Sequence, residues 1–368
     1  MPTADELLNA AAVRGLARCL TAAAPGLDLA EVRRSAKSLT GLALRERSDL
    51  VRAALLHDLP AEYTGFETII RAALPQENLR GWMIWPITSA ASQLALTDGS
   101  TAAFDSAMAL LADLTPRLTA EFGIRPLLDA DLDRALPIVL SWTTHVDEHV
   151  RRLASEGTRP LLPWAKRVRA IVARPASTVP ILHALYRDES DYVRRSVANH
   201  LNDISRGDPD LAASVAAEWL AGEPDEQTRQ LVRHGLRTLI KKGHPQALAL
   251  LGFTPAAGLT VDGPTLTADT VPVGQSLEFS CTLTNTGHEA ARLAIDYVIH
   301  HRKANGSLTP KVFKLTTKTL APNEAVTLTR AHSFKVITTR VYHPGQHTIE
   351  LQVNGETYGK VAFDLLAS

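Results

Sequence analysis

Three carboxylates in this sequence stand where ordinary helix stability would not place them. Glu121 lies in Thr119-Ala-Glu-Phe-Gly-Ile-Arg-Pro126, Glu156 in Ser155-Glu-Gly-Thr-Arg-Pro160, and Asp203 in Asn202-Asp-Ile-Ser-Arg-Gly207. Each comes shortly before a glycine able to end its helix. A carboxylate in a last helical turn opposes the macrodipole at a cost of roughly 0.3–1 kcal/mol. Three such placements point to groups held for chemistry: proton transfer, or stabilisation of a developing positive charge. Local pairing, such as Glu156 with Arg152 or Arg159, explains the same residues without chemistry and stays open beside the functional reading. Trp164 follows Glu156 by eight residues, behind Pro160 and Pro163. An aromatic there is either a core plug or, beside Arg159, Lys166 and Arg167, a face offered to a sugar or cation.

Other chemistries are missing. The sequence has no GxSxG, HExxH, Walker loop or Rossmann glycine pattern. Its thirteen histidines lack metal-ligand spacing, with His300-His301 expected in a loop or strand. No cofactor and no metal are expected.

The elements that must position these groups fall into two halves. At 368 residues, two domains are the default. From residue 1 to about 251 the apolar period is helical. Leu118 and Phe122 are expected on one helix face ending at Gly123, and Leu211, Val215 and Trp219 on another. A repeat runs beneath: Asp49-Leu-Val-Arg52, Glu148-His-Val-Arg151 and Asp191-Tyr-Val-Arg194, with Glu226-Gln-Thr-Arg229 a weaker copy. Arg151 to Arg194 spans 43 residues and Arg194 to Arg229 spans 35. These spacings bracket the period of HEAT-like helix pairs and predict an all-α solenoid with an extended concave surface. After Gly252 the period becomes two. Leu277–Leu283 alternates into Asn285-Thr-Gly287, and His347–Val353 alternates into Asn354-Gly355, a hairpin signal. The fold class is therefore multidomain: a helical-repeat domain over 1–251, a linker within 252–262 containing Pro255, and an all-β immunoglobulin-like sandwich over 257–368.

Composition narrows the partners. Hydrophobic content of 45% with 21% charged residues is that of a folded soluble chain. Cys19 and Cys281 form no framework, and MPTADELLNA lacks a basic signal-peptide start, so a reducing cytoplasm is expected. No run of 18 apolar residues occurs. Net charge is zero, yet ten Lys or Arg stand against four Asp or Glu between Arg151 and His200. That excess is either a footprint for phosphates or a solvated helix face.

The run Val150-Arg-Arg-Leu-Ala-Ser-Glu-Gly-Thr-Arg-Pro-Leu-Leu-Pro-Trp164 closely resembles the segment that marks AlkC-type DNA glycosylases. Ala120–Pro126, Tyr192–Ile204 and Tyr342–Gly355 also resemble that family, the last its immunoglobulin-like domain. The resemblance implies a HEAT-like scaffold that grips damaged duplex DNA and excises 3-methyladenine and related cationic bases, 3-methylcytosine among them, without flipping them into a pocket. It also implies that Glu121, Glu156 and Asp203 are the catalytic carboxylates and that Trp164 touches the lesion's sugar. Phosphate contacts are expected from Arg125, Arg151, Arg152, Arg159, Lys166, Arg167, Arg194 and Arg195, extended by Arg233, Arg237, Lys241 and Lys242. Arg302 and Lys303 are the contacts expected from the sandwich. The expected enzyme is a monomer that joins the nucleoid when bound to DNA. Two competing readings remain: a non-catalytic scaffold for damaged DNA or a protein, and a regulator that binds carbohydrate.

Overall fold

The computed structural model describes residues 3–254, 258–337 and 340–367. Pro255, expected in the linker, and residue 257, where the sandwich was expected to begin, lie outside the described residues.

The chain is helical to Leu250 and stranded from Leu259. The first helices are α1 (Ala4–Leu7), α2 (Ala10–Ala23), α3 (Ala30–Ser35), α4 (Leu44–Asp58), α5 (Tyr63–Ala73), α6 (Ile84–Asp98) and α7 (Thr101–Leu114). Then come α8 (Ile124–Ala130), α9 (Leu132–Ser141), α10 (Glu148–Gly157), α11 (Arg169–Ala173), α12 (Val179–Leu185) and α13 (Asp191–Ile204). The series closes with α14 (Pro209–Leu220), α15 (Glu226–Gly235), α16 (Arg237–Lys241) and α17 (Pro245–Leu250). The chain divides into two compact units, one of residues 1–211 with 224–235, the other of 212–223 with 236–368. By this division α16 and α17 go with the strands. Leu248 and Phe253 pack on Ala294, and Asn354 Nδ2 donates to Thr254 O at 2.7 Å.

The first unit is a helical-repeat domain whose α10, α13 and α15 pack side by side. Each starts with the acid of the repeat motif: Glu148, Asp191 or Glu226. Acids there complement the helix dipole. The motif's arginines turn inward. Arg151 Nη1 donates to His145 O at 2.9 Å and Val146 O at 3.0 Å, six and five residues back. Arg194 Nη1 makes the equivalent bonds to Asp188 O at 2.6 Å and Glu189 O at 2.9 Å. Buried Arg47 repeats the device, its Nε donating to Leu42 O at 2.9 Å. The early copy of the structural repeat is therefore Arg47, not Arg52 as the sequence pattern placed it. Asp49 lies inside α4 and only pairs with Arg52 at 3.1 Å.

One expected helix is absent. Leu118 and Phe122 share no helix face, because α7 stops at Leu114 and 120–123 form a turn entering α8. Gly123 does not end a helix but permits a close approach. A Cβ there would lie 2.7 Å from Thr88 Cβ, so only glycine lets α8 start against α6.

In the second unit the strands form two sheets, as in an immunoglobulin-like sandwich. They are β1 (Leu259–Leu266), β2 (Thr270–Pro272), β3 (Ser276–Asn285), β4 (Ala291–Arg302), β5 (Leu308–Leu320), β6 (Ala325–Ser333), β7 (Gly345–Val353) and β8 (Glu356–Leu366). One sheet runs β1-β3-β6 and the other β2-β8-β7-β4-β5, antiparallel except where β2 meets β8. Leu277, Phe279, Cys281 and Leu283 of β3 point into the core, as their alternation requires. Asn354 and Gly355, at φ +47° and +90°, turn β7 into β8 as the two-residue hairpin expected of that pair. His300 and His301 both lie in β4.

Candidate active site

Glu156 is the penultimate residue of α10, and it is buried. The helix ends there in a tight place, since a Cβ on Gly157 would stand 2.9 Å from Ile124 Cγ2. Glu156 Oε1 accepts from Arg159 Nη1 at 2.7 Å and lies 3.5 Å from Arg152 Nη2. Its Oε2 accepts from Ser196 Oγ of α13 at 2.6 Å. Asp203, in the last turn of α13, is 4% exposed and accepts from Arg159 Nε at 2.8 Å through Oδ2. Glu121 accepts from Arg152 Nη1 at 2.8 Å and from Thr119 Oγ1 at 3.1 Å, both through Oε2.

The groups form one row: Glu121, Arg152, Glu156, Arg159, Asp203. Two guanidiniums alternate with three carboxylates, and the buried guanidinium of Arg125 stands near enough to act on Glu121, Arg159 and Asp203. The C-terminal ends of α10 and α13 add partial negative charge beside Glu156 and Asp203. Burial pushes the Asp203 carboxyl above the ordinary aspartate value, although the hydrogen bond and charge of Arg159 pull the other way. Burial also works against Arg159 and Arg152, yet their carboxylate partners hold both above the ordinary arginine value. Both arginines therefore stay charged.

Glu156 and Asp203 lie in last turns as the sequence indicated, and Glu156 does pair with Arg152 and Arg159, though buried rather than at the surface. Glu121 departs from expectation: it sits in the turn before α8, on the N-terminal side of a helix. Trp164 is no core plug. It is 72% exposed and adopts φ +62°, a left-handed backbone that costs a non-glycine residue about 1–3 kcal/mol.

The expected phosphate contacts divide sharply. Arg125, Arg151, Arg159 and Arg194 are all buried, and their guanidiniums are spent inside the protein. Arg125 donates to the carbonyls of Gly157 and Arg159 at 3.0 Å each and of Lys166 at 2.7 Å. Arg151 is paired with Asp188 at 2.7 Å. These four cannot meet a phosphate in this arrangement, which corrects the reading of the basic run as one exposed face. Arg152 is largely covered as well, lying over the Tyr192 ring at 4.8 Å. Lys166, Arg167, Arg195 and Arg233 are exposed in the first unit. In the second unit Lys241, Lys242 and Lys303 are exposed, while Arg237 and Arg302 are half-buried. Lys166 and Arg167 share an open groove of about 730 Å³ with Arg45, Arg52, Asp49 and Asp129.

Sequence reasoning missed Ser196, Tyr192 and Arg45. Ser196 was legible, because it lies seven residues before Asp203 and so on the same face of α13. Arg45 left no signal: it donates to the carbonyl of Trp164, 119 residues away.

The fold and this row define a helical-repeat protein with an immunoglobulin-like domain at its C-terminal end. Residues 260–367 match the family described as "Uncharacterised protein YhaZ, C-terminal Ig-like domain". The chain is 38% identical over 324 residues to the "Uncharacterized protein YhaZ" of Bacillus subtilis (strain 168), covering 88% of each. It is also similar along its whole length to the Pseudomonas fluorescens alkylpurine DNA glycosylase AlkC bound to DNA containing an abasic site analog. That match has a TM-score of 0.85, 33% identity, and covers 100% of both chains. The chain belongs to the AlkC/YhaZ-type DNA glycosylase family. Among the described residues no helix is long and apolar enough to cross a membrane.

Proposed function

We propose that this protein hydrolyses the N-glycosidic bond of cationic alkylated bases, 3-methyladenine and 3-methylcytosine, in duplex DNA. It would act as a monomer and begin base excision repair. The observation that carries this reading is the row itself, three carboxylates from neighbouring repeats held in fixed places by Arg152 and Arg159. A base alkylated at a ring nitrogen is already cationic and leaves without a general acid. The barrier that remains is an oxocarbenium-like sugar and the placement of a water, and fixed carboxylates serve both.

The three carboxylates have different tasks. Both oxygens of Glu156 are taken by Arg159, Arg152 and Ser196, so it acts as a fixed negative charge. Asp203 Oδ1 accepts no hydrogen bond from the described residues, so this oxygen is the one available to orient the attacking water. Glu121 acts at longer range, anchoring Arg152. Trp164 offers its exposed face to the lesion's sugar. Lys166, Arg167, Arg195 and Arg233 hold phosphates, with Lys241, Lys242 and Lys303 as extensions. The lesion remains stacked, so recognition depends on charge and bond lability and not on the pairing edge.

A panel of duplexes, each carrying one lesion, tests this by measured release. The charged 3-methyladenine and 3-methylcytosine are expected to be freed, and neutral uracil and hypoxanthine to be retained. Efficient release of the neutral bases would require a leaving-group acid and would overturn the mechanism. No release of any base would leave the scaffold reading in its place.

A further inference from the structure

We propose that Arg45 and Arg125 are positioning residues that clasp the loop carrying Trp164, and that Arg125 is no DNA contact. The inference rests on the role of Trp164 given above. Residues 158–168 contain no helix or strand. Trp164 takes its φ of +62° as the third residue of a turn that follows Pro163 and is closed by Ala165 N on Leu162 O at 3.3 Å, and nothing within the loop fixes where that turn sits. Two guanidiniums from other helices hold the turn in place. Arg125, in α8, donates to Gly157 O and Arg159 O where the loop begins, and to Lys166 O where it ends. It thus closes the loop at its neck. Between these points the carbonyl of Trp164 accepts from Arg45 of α4.

Neither arginine forms an ion pair among the described residues, although Asp129, Asp203 and Glu121 act on Arg125 from further off. Arg125 is buried, makes all these bonds to neutral carbonyls, and leaves its Nη2 without a hydrogen-bond partner among the described residues. Burying a cation in that way is costly unless the bonds it makes matter. Arg45 pairs with no carboxylate among the described residues. Its guanidinium lies over the Trp85 ring at 5.7 Å, and Trp85 stacks on Phe122 at 4.6 Å. Phe122 adjoins Glu121. One aromatic platform therefore links the Trp164 loop to the turn that carries the first carboxylate of the row.

The full-length protein labelled with 5-fluorotryptophan gives a direct test, with the Trp164 resonance assigned by its loss in Trp164→Phe. Arg45→Met is expected to shift that resonance and to slow single-turnover release of 3-methyladenine about tenfold. The salt dependence of DNA binding should stay unchanged. In a Trp164→Ala background Arg45→Met should slow release no further, because it acts through the tryptophan. Arg125→Lys keeps the charge but loses the fork, and should slow release about 10²-fold with the salt slope intact. Thermal unfolding verifies that both variants are folded. An unmoved Trp164 resonance in Arg45→Met overturns the clasp. So does a loss that adds fully to Trp164→Ala with a salt slope reduced by about 0.9, the mark of a residue that holds a phosphate. If the wild-type protein releases no base, the proposed function fails, and the fluorine resonance alone still decides for or against the clasp.

Discussion

Arg159 Nε donates to Asp203 Oδ2 at 2.8 Å, joining the loop after α10 to the last turn of α13. The same guanidinium holds Glu156 through Nη1 at 2.7 Å, so one cation fixes two carboxylates from two repeats. That arrangement makes the ionisation of Asp203 depend on its neighbour. Burial raises the Asp203 pKa and Arg159 lowers it. Release needs the carboxylate, so the rate should fall as pH drops through the raised value, above the ordinary 3.8. Asp203→Asn should abolish that acid limb along with most of the rate. Arg159→Met removes the lowering influence and should move the limb to higher pH. A pH–rate profile under single-turnover conditions checks the sign, and a limb that moves down would contradict it.

The buried and exposed arginines should separate in solution. Lys166→Met and Arg167→Met are each expected to flatten the slope of log affinity against log salt by about 0.9, the share of one phosphate. Arg151→Met should leave the slope alone and cost about 3 kcal/mol of stability, because it strands Asp188 in the interior. Binding titrations at several salt concentrations, paired with denaturant unfolding, measure both. A reduced slope for Arg151→Met would return that residue to the interface.

Gly157 should resist even one methyl group. Gly157→Ala sets a Cβ 2.9 Å from Ile124 Cγ2 and should displace the end of α10, costing about 1–3 kcal/mol. Ile124→Leu removes the offending methyl and should recover part of both stability and excision rate. If the double variant is as impaired as Gly157→Ala alone, the contact is not what fixes Glu156.

The sandwich should weaken in mild acid. Burial, aided by the charge of Arg340, lowers His301 to about 3 and His332 to about 4, against an ordinary 6.5. The unfolded chain takes up protons below 6.5 that the folded chain refuses until near pH 4. Stability is therefore complete above 6.5 and falls as pH decreases, by about 1.4 kcal/mol per pH unit for each histidine. Unfolding measured from pH 7.5 to 4.5 should show this slope, and His332→Gln should flatten it by about one proton. An unchanged slope would mean that His332 is protonated in the native protein.

Much of this was legible because it is local. The ends of α10 and α13, the Asn354-Gly355 hairpin and the alternation of β3 are each written within a dozen residues. Glu121 was misplaced because Gly123 serves an approach between α8 and α6, and sequence shows no partner for a glycine. The inward turn of Arg151 and Arg194 was hidden for a related reason. An acid followed by a basic residue reads as a surface pair, and the carbonyls that these arginines bind carry no residue type. Arg45 could not be seen at all, since its bond to Trp164 exists only in the folded chain.

The central claim is that preorganised carboxylates break the bond of a base that is already cationic. Single-turnover release of 3-methyladenine from duplex DNA by wild type, Glu156→Gln and Asp203→Asn tests it most directly, with binding measured on the same duplex. The account predicts that each variant binds DNA as wild type does and releases the base about 10²–10³-fold more slowly. Release by both variants at close to the wild-type rate would contradict it.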